Sequence, residues 1–116
     1  MNNQFDFSNI LNHTVTVTID RPLGSAHPEH SDIVYSVNYG FVDGIIGGDG
    51  EWQDAYVLGV DTPVTTFTGK VIAVIVRTDD IETKWVVAPF NMHFTREQIE
   101  HAVSFQEKYF LHRIQT

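Results

Sequence analysis

Thr14-Val15-Thr16-Val17-Thr18-Ile19 alternates between hydroxyl-bearing and aliphatic side chains. Successive strand residues point to opposite faces, so this run predicts a strand with one buried face. Arg21 to Glu29 holds two prolines and a glycine and reads as loop. Ile33 to Val37 predicts a short extended segment, and Asn38-Tyr39-Gly40 and Asp43-Gly44 predict turns. A strand follows from Asp54 to Val60, then a turn at Gly69. Val71-Ile72-Ala73-Val74-Ile75-Val76 is almost wholly apolar, the pattern of a central strand buried on both faces. Asp79-Asp80 marks a turn, and Lys84 to Ala88 is a further strand stopped by Pro89. The period then changes. Thr95 followed by Glu97 and Gln98 gives an N-cap context. Ile99, Ala102, Val103 and the positions from Phe105 to Tyr109 recur at helical spacing. About five short strands and one late helix, near residues 95 to 108, predict a small antiparallel barrel, closed or partly open, with a helix packed on it.

Length and composition narrow the setting. The 116 residues, 42% of them hydrophobic, make one domain over 1–116 with a single core. No run approaches a membrane span. Met1 to Asp6 lacks the basic and apolar regions of a signal peptide. Zero cysteines exclude disulfides and thiolate metal sites, which fits a cytoplasmic protein. A net charge of -8 with only seven basic residues argues against nucleic acid as a partner. A phosphate compound would then be bound through metal ions.

Asp49-Gly50-Glu51-Trp52-Gln53-Asp54 carries the densest chemistry. Carboxylates this close raise each other's pKa, and a hard divalent ion with oxygen ligands relieves them. The alternative is an acidic turn before a strand. Asp79, Asp80 and Glu82 form a second acidic group between the Val71–Val76 and Lys84–Ala88 strands. If those strands pair beside the Asp54 strand, both groups meet at one mouth of the barrel, with Lys84 within reach; otherwise this is a solvated hairpin tip. His27 and His30 lie in the Pro-rich loop behind Arg21 and suit phosphate or a softer metal such as Mn²⁺ or Zn²⁺, or are simply solvated. His13, His93, His101 and His112 read as structural or solvated. Trp52 and Trp85 read as packing. Tyr109-Phe110 reads as a packed apolar face, and it would also suit a subunit contact in a homo-oligomer.

The run from Asn38-Tyr39-Gly40 through Asp49-Gly50-Glu51-Trp52-Gln53-Asp54 to Leu58 resembles the core of the soluble family I inorganic pyrophosphatases. The spacing between its Asn-Tyr-Gly and acidic motifs is that family's. Gly69 to Val76 is similar to its strand after a Pro-Gly turn, and Thr78-Asp79 to Pro89 to its Asp…Asp-x-Lys hairpin. Asp20-Arg21-Pro22-Leu23-Gly24-Ser25 resembles its Glu-x-Pro-x-Gly-Ser loop. The likeness spans roughly residues 15 to 89 and implies a mainly β, OB-like five-stranded antiparallel barrel with one C-terminal helix.

It also implies roles. Asp49, Asp54, Asp79 and Glu82 would hold divalent ions, Mg²⁺ or Mn²⁺, with Asp20 at an outer position. Glu51 would help deprotonate the attacking water. Tyr39 and Lys84 would contact phosphate. The implied activity is metal-dependent hydrolysis of inorganic pyrophosphate. The chain departs from the pattern where phosphate is gripped. The family's Lys-Tyr-Glu element falls on Pro28-Glu29-His30, its Tyr-Lys pair on Gln106-Glu107, and one arginine has no counterpart. The other reading is therefore a pyrophosphatase-like module that binds metal or phosphate, or serves in assembly, without catalysis.

Overall fold

The computed structural model describes residues 7–79 and 82–116. Strands β1 (Thr14–Arg21), β2 (Asn38–Ile46), β3 (Trp52–Val57), β4 (Thr66–Arg77) and β5 (Thr83–Ala88) precede helix α1 (Arg96–Glu107) and a short strand β6 (His112–Gln115). The sheet order is β1-β2-β3-β5-β4-β6, and β1 also pairs with β4. That pairing closes the first five strands into the expected barrel, with one helix on it. Four pairings in the ring are antiparallel and β3–β5 is parallel.

Alternation along the strands divides the apolar residues into two cores, where a single one was expected, because the barrel wall is buried on both faces. Val17, Ile19, Val42, Ala55, Val57, Trp85 and Val87 fill the barrel interior. Tyr39, Tyr56, Ala73, Ile75 and Val86 occupy the opposite face, where Ile99 and Val103 of α1 cover them. The helix starts at a capping box: Thr95 accepts from the Gln98 N–H at 3.1 Å, and the Gln98 side chain accepts from the Thr95 N–H at 2.8 Å.

Three local expectations are corrected. Asn38-Tyr39-Gly40 is not a turn but the start of β2. Asn38 is fully buried there; its Oδ1 accepts from the N–H groups of Leu23 and Val64, and its amide donates to the Thr62 carbonyl. Gly40 crosses β1 so closely that a Cβ would lie 1.8 Å from the Thr18 carbonyl oxygen. Asp43-Gly44 likewise stays within β2, where Gly44 takes a positive φ of 87° beside an irregularity in the β2–β3 register. Gly69 sits inside β4, because a Cβ there would meet the Ala88 carbonyl at 2.3 Å; it serves strand contact, not reversal. β6 was not expected: three of its four residues are polar, and only Ile114 is buried. No helix among the described residues is long and apolar enough to cross a membrane.

Candidate functional site

The site grows out of strand parity. Asp54 shares a face of β3 with Tyr56, Lys84 shares one with Val86, and Arg77 shares one with Ala73 and Ile75. The parallel pairing sets Ala55 beside Trp85 and so brings Asp54 next to Lys84. These side chains therefore gather on the outer face of the barrel, beside the end of α1, and not at a barrel mouth. A cavity of about 560 Å³ lies there, walled by strand residues, by the 21–33 loop and by Gln106, Tyr109 and Phe110.

One carboxylate oxygen each from Asp49, Asp54 and Glu82 lies within 4.8 Å of the others. Lys84 Nζ donates to Asp54 Oδ2 at 2.6 Å and to the Tyr39 hydroxyl at 3.0 Å, and stands 3.5 Å from Glu82 Oε2. The Asp49 and Glu82 carboxyls are hydrogen-bonded to each other and shift in opposite directions. The Glu51 backbone N–H, 3.0 Å from Asp49 Oδ1, lowers Asp49 most; the bond to Glu82 adds to it. Burial raises Glu82 most; Lys84 opposes that and the shared bond with Asp49 reinforces it. Burial also raises Asp20, against the charge of Arg21. Tyr39 stays protonated, because burial first and the Asp54 charge second push its pKa well up.

The donor set suits a hard divalent ion. Two oxygens opposite each other on an ion with bonds of about 2.1 Å stand roughly 4.2 Å apart. A cation between Asp49 and Glu82, whose carboxyls already interact, would satisfy both.

Asp20 lines the cavity because of a β-bulge. Ile19 pairs with Gly40 and Arg21 with Tyr39, so Asp20 is an extra residue on β1. The bulge breaks strict alternation, and Asp20 and Arg21 both reach the cavity. Glu51 and Asp79 stand apart from this wall. Glu51 is exposed in the β2–β3 turn and touches the trio through its backbone. Asp79 is exposed, and its Oδ2 accepts from the Leu111 N–H at 3.4 Å. Asp80 lies outside the described residues.

Sequence reasoning missed a buried network behind the site. Glu107 is fully buried and receives Arg77 Nε at 3.1 Å and Nη2 at 2.8 Å. It also accepts from the Tyr56 hydroxyl at 2.6 Å. Gln106 donates to Tyr56 at 2.7 Å and accepts from the Tyr35 hydroxyl at 2.7 Å. Arg77 Nη1 reaches Glu82 Oε2 at 2.7 Å, and the Phe110 ring lies 3.6 Å from its guanidinium. Burial pulls the Arg77 pKa down, but the bonds and charge of Glu107 outweigh it and raise it overall. The available signal was parity: Arg77 continues the face of Ala73 and Ile75.

The barrel order and the helix on it are the fold of solved inorganic pyrophosphatases. The solved inorganic pyrophosphatase of Ehrlichia chaffeensis superposes with a TM-score of 0.67 at 17% identity, covering 96% of this chain and 90% of that one. That of Neisseria gonorrhoeae gives 0.65 at 18% identity, with 90% and 81% covered. That of Thermus thermophilus gives 0.60 at 15%, with 99% and 86% covered. No protein-family model and no curated protein matches the sequence. The likeness is one of fold.

Proposed function

We propose that this chain is a metal-dependent phosphoanhydride hydrolase with inorganic pyrophosphate as its leading substrate. One observation carries the reading: Asp49, Asp54 and Glu82 converge, the last two beside Lys84 on the cavity wall, on a barrel with the pyrophosphatase fold. Carboxylates outnumber cations there, so an anionic substrate needs further positive charge. Mg²⁺ or Mn²⁺ held by the trio, with Asp20 from the wall, would supply that charge and acidify a bound water. Lys84 then offers a fixed cation to the transferring phosphoryl group, and the Tyr39 hydroxyl, kept protonated, offers a donor. Arg77 holds Glu82 in its orientation. Glu51, adjacent to the trio, is the proposed proton acceptor, and Asp79 a further outer ligand; both roles require their side chains to turn toward the cavity. The setting proposed is cytoplasmic.

One observation favours the non-catalytic alternative. Gln106 and Glu107 stand where a pyrophosphatase Tyr-Lys pair is expected, and Glu107 is committed to Arg77. The test is phosphate release from pyrophosphate and from a nucleotide panel, with Mg²⁺ and Mn²⁺ each supplied. Metal-dependent release from pyrophosphate supports the hydrolase. Metal binding without release from any substrate leaves the binding module.

A further inference from the structure

Three cationic side chains, Arg21, Arg77 and Lys84, line the cavity. They differ in what their donors already hold. The three N–H donors of Lys84 face Tyr39, Asp54 and Glu82. Arg77 is divided between Glu107 and Glu82, with one face covered by Phe110. Arg21 gives a single hydrogen bond, from Nη1 to the Tyr35 hydroxyl at 2.6 Å. A guanidinium carries five N–H donors. No other hydrogen bond from Arg21 is present among the described residues, and Asp20 beside it makes no ion pair with it.

Arg21 is held in place. Tyr35 is fully buried and its hydroxyl donates to Gln106, so the Arg21 anchor is tied to α1. The guanidinium stands 5.7 Å from the Tyr35 ring centroid and 5.5 Å from that of Tyr39. His27 lies nearly parallel to the Tyr35 ring, at 6.3 Å. Its Nδ1 accepts from the Glu29 N–H at 3.0 Å, which leaves the proton of the neutral ring on Nε2, a donor. The bulge at Asp20 is what turns Arg21 to this wall.

We propose that Arg21, assisted by His27, forms an anion-binding subsite for a tetrahedral phosphate group, the one farther from the carboxylate trio. An arginine fork matches two phosphate oxygens at once, and such charge-assisted pairs are the strong ones. The subsite makes up for the phosphate-gripping groups that the sequence lacks. Its ligand rests on the hydrolase reading only in being an anhydride; the phosphate chemistry stands without turnover.

The test uses the full chain saturated with Mg²⁺ and titrates imidodiphosphate, a non-hydrolysable diphosphate, and inorganic phosphate separately by calorimetry. Mn²⁺ affinity and pyrophosphate turnover are measured on the same variants. Arg21→Met should weaken imidodiphosphate binding about 10- to 100-fold, the loss expected for charge-assisted bonds, and raise KM more than it lowers kcat. Mn²⁺ affinity should stay within about twofold. Arg21→Lys keeps the charge but not the fork, so it should recover part of the loss. If free phosphate alone shows the Arg21 effect and imidodiphosphate does not, the site takes product only and the proposal for the substrate falls. It also falls if the Arg21→Lys variant, folded by circular dichroism, binds imidodiphosphate like the parent, or if Mn²⁺ affinity drops equally. Arg21-dependent binding by a parent that releases no phosphate would sink the hydrolase reading and keep the subsite. Turnover with an unchanged KM in the Arg21 variants would do the reverse.

Discussion

Replacing Glu107 by glutamine removes one charge and almost no volume from a fully buried position. Three donors lose their anion: Arg77 Nε, Arg77 Nη2 and the Tyr56 hydroxyl. Removing one partner of a buried ion pair costs about 3–5 kcal/mol, because the other charge stays behind without compensation. Domains of this size have only about 5–15 kcal/mol to lose. With a urea dependence of about 1.5 kcal/mol per molar, the unfolding midpoint should fall by roughly 2–3 M. Trp85, buried on the neighbouring strand, reports the transition by fluorescence. The double variant Arg77→Met/Glu107→Leu removes both charges and should regain most of the loss. It should not regain all, since the Tyr56 hydroxyl then lacks its acceptor at a cost of about 1–3 kcal/mol. The cycle should give a coupling of at least about 2 kcal/mol. A midpoint shift under about 0.5 M for Glu107→Gln, or strict additivity in the cycle, would refute the view that this pair organises the end of α1 against the sheet.

Further outcomes follow from the same contacts. Asp54→Asn should remove most metal-dependent turnover and weaken Mn²⁺ binding in calorimetry, whereas Glu51→Gln should slow turnover with metal affinity comparatively intact; equal metal losses would deny Glu51 its role as proton acceptor. Gly40→Ala places a methyl on the Thr18 carbonyl and should cost more than about 3 kcal/mol, beyond ordinary overpacking, in urea unfolding. His112 bonds the Phe110 carbonyl at 2.8 Å and the Glu100 carboxylate at 2.9 Å. Burial lowers its pKa, but these two acceptors outweigh it, and the folded value lies above 6.5. The folded state therefore holds its proton more tightly. Its contribution to stability should be full below pH 6.5 and fade as pH rises through the folded value; thermal melts across that window should flatten in His112→Gln. A His112 NMR titration midpoint at or below 6.5 would contradict this.

The barrel was legible because its inner face follows simple parity, as in Val15, Val17 and Ile19, and α1 because Thr95 and Gln98 announce its start. β6 was not, since Ile114 is its only buried position and its place depends on pairing with β4. The acidic positions could be read from spacing, but their side of the barrel could not. Two acidic turns can meet at a mouth or on a face. The parallel β3–β5 contact, which no local pattern encodes, decided for the face. The Asp20 bulge was equally hidden, because strict alternation would send Asp20 and Arg21 to opposite sides.

The buried network and the free arginine are two halves of one arrangement. From Arg21 a chain of hydrogen bonds runs through Tyr35, Gln106, Tyr56 and Glu107 to Arg77 and on to Glu82. Every buried polar side-chain atom among the described residues has a partner. A fully satisfied network of this kind is rigid, since moving one member orphans the next. Glu107 brings an anion to the position where the resemblance to the pyrophosphatases implies a lysine. It is neutralised by Arg77, and Arg77 in turn orients Glu82. Helix α1 thus contributes no phosphate contact of its own through Glu107. It fixes a metal-ligand candidate at one end of the chain and an arginine with free donors at the other. If the chain is the proposed hydrolase, the cation left to grip substrate stands at the bulge in β1, beside Asp20, and not on the helix.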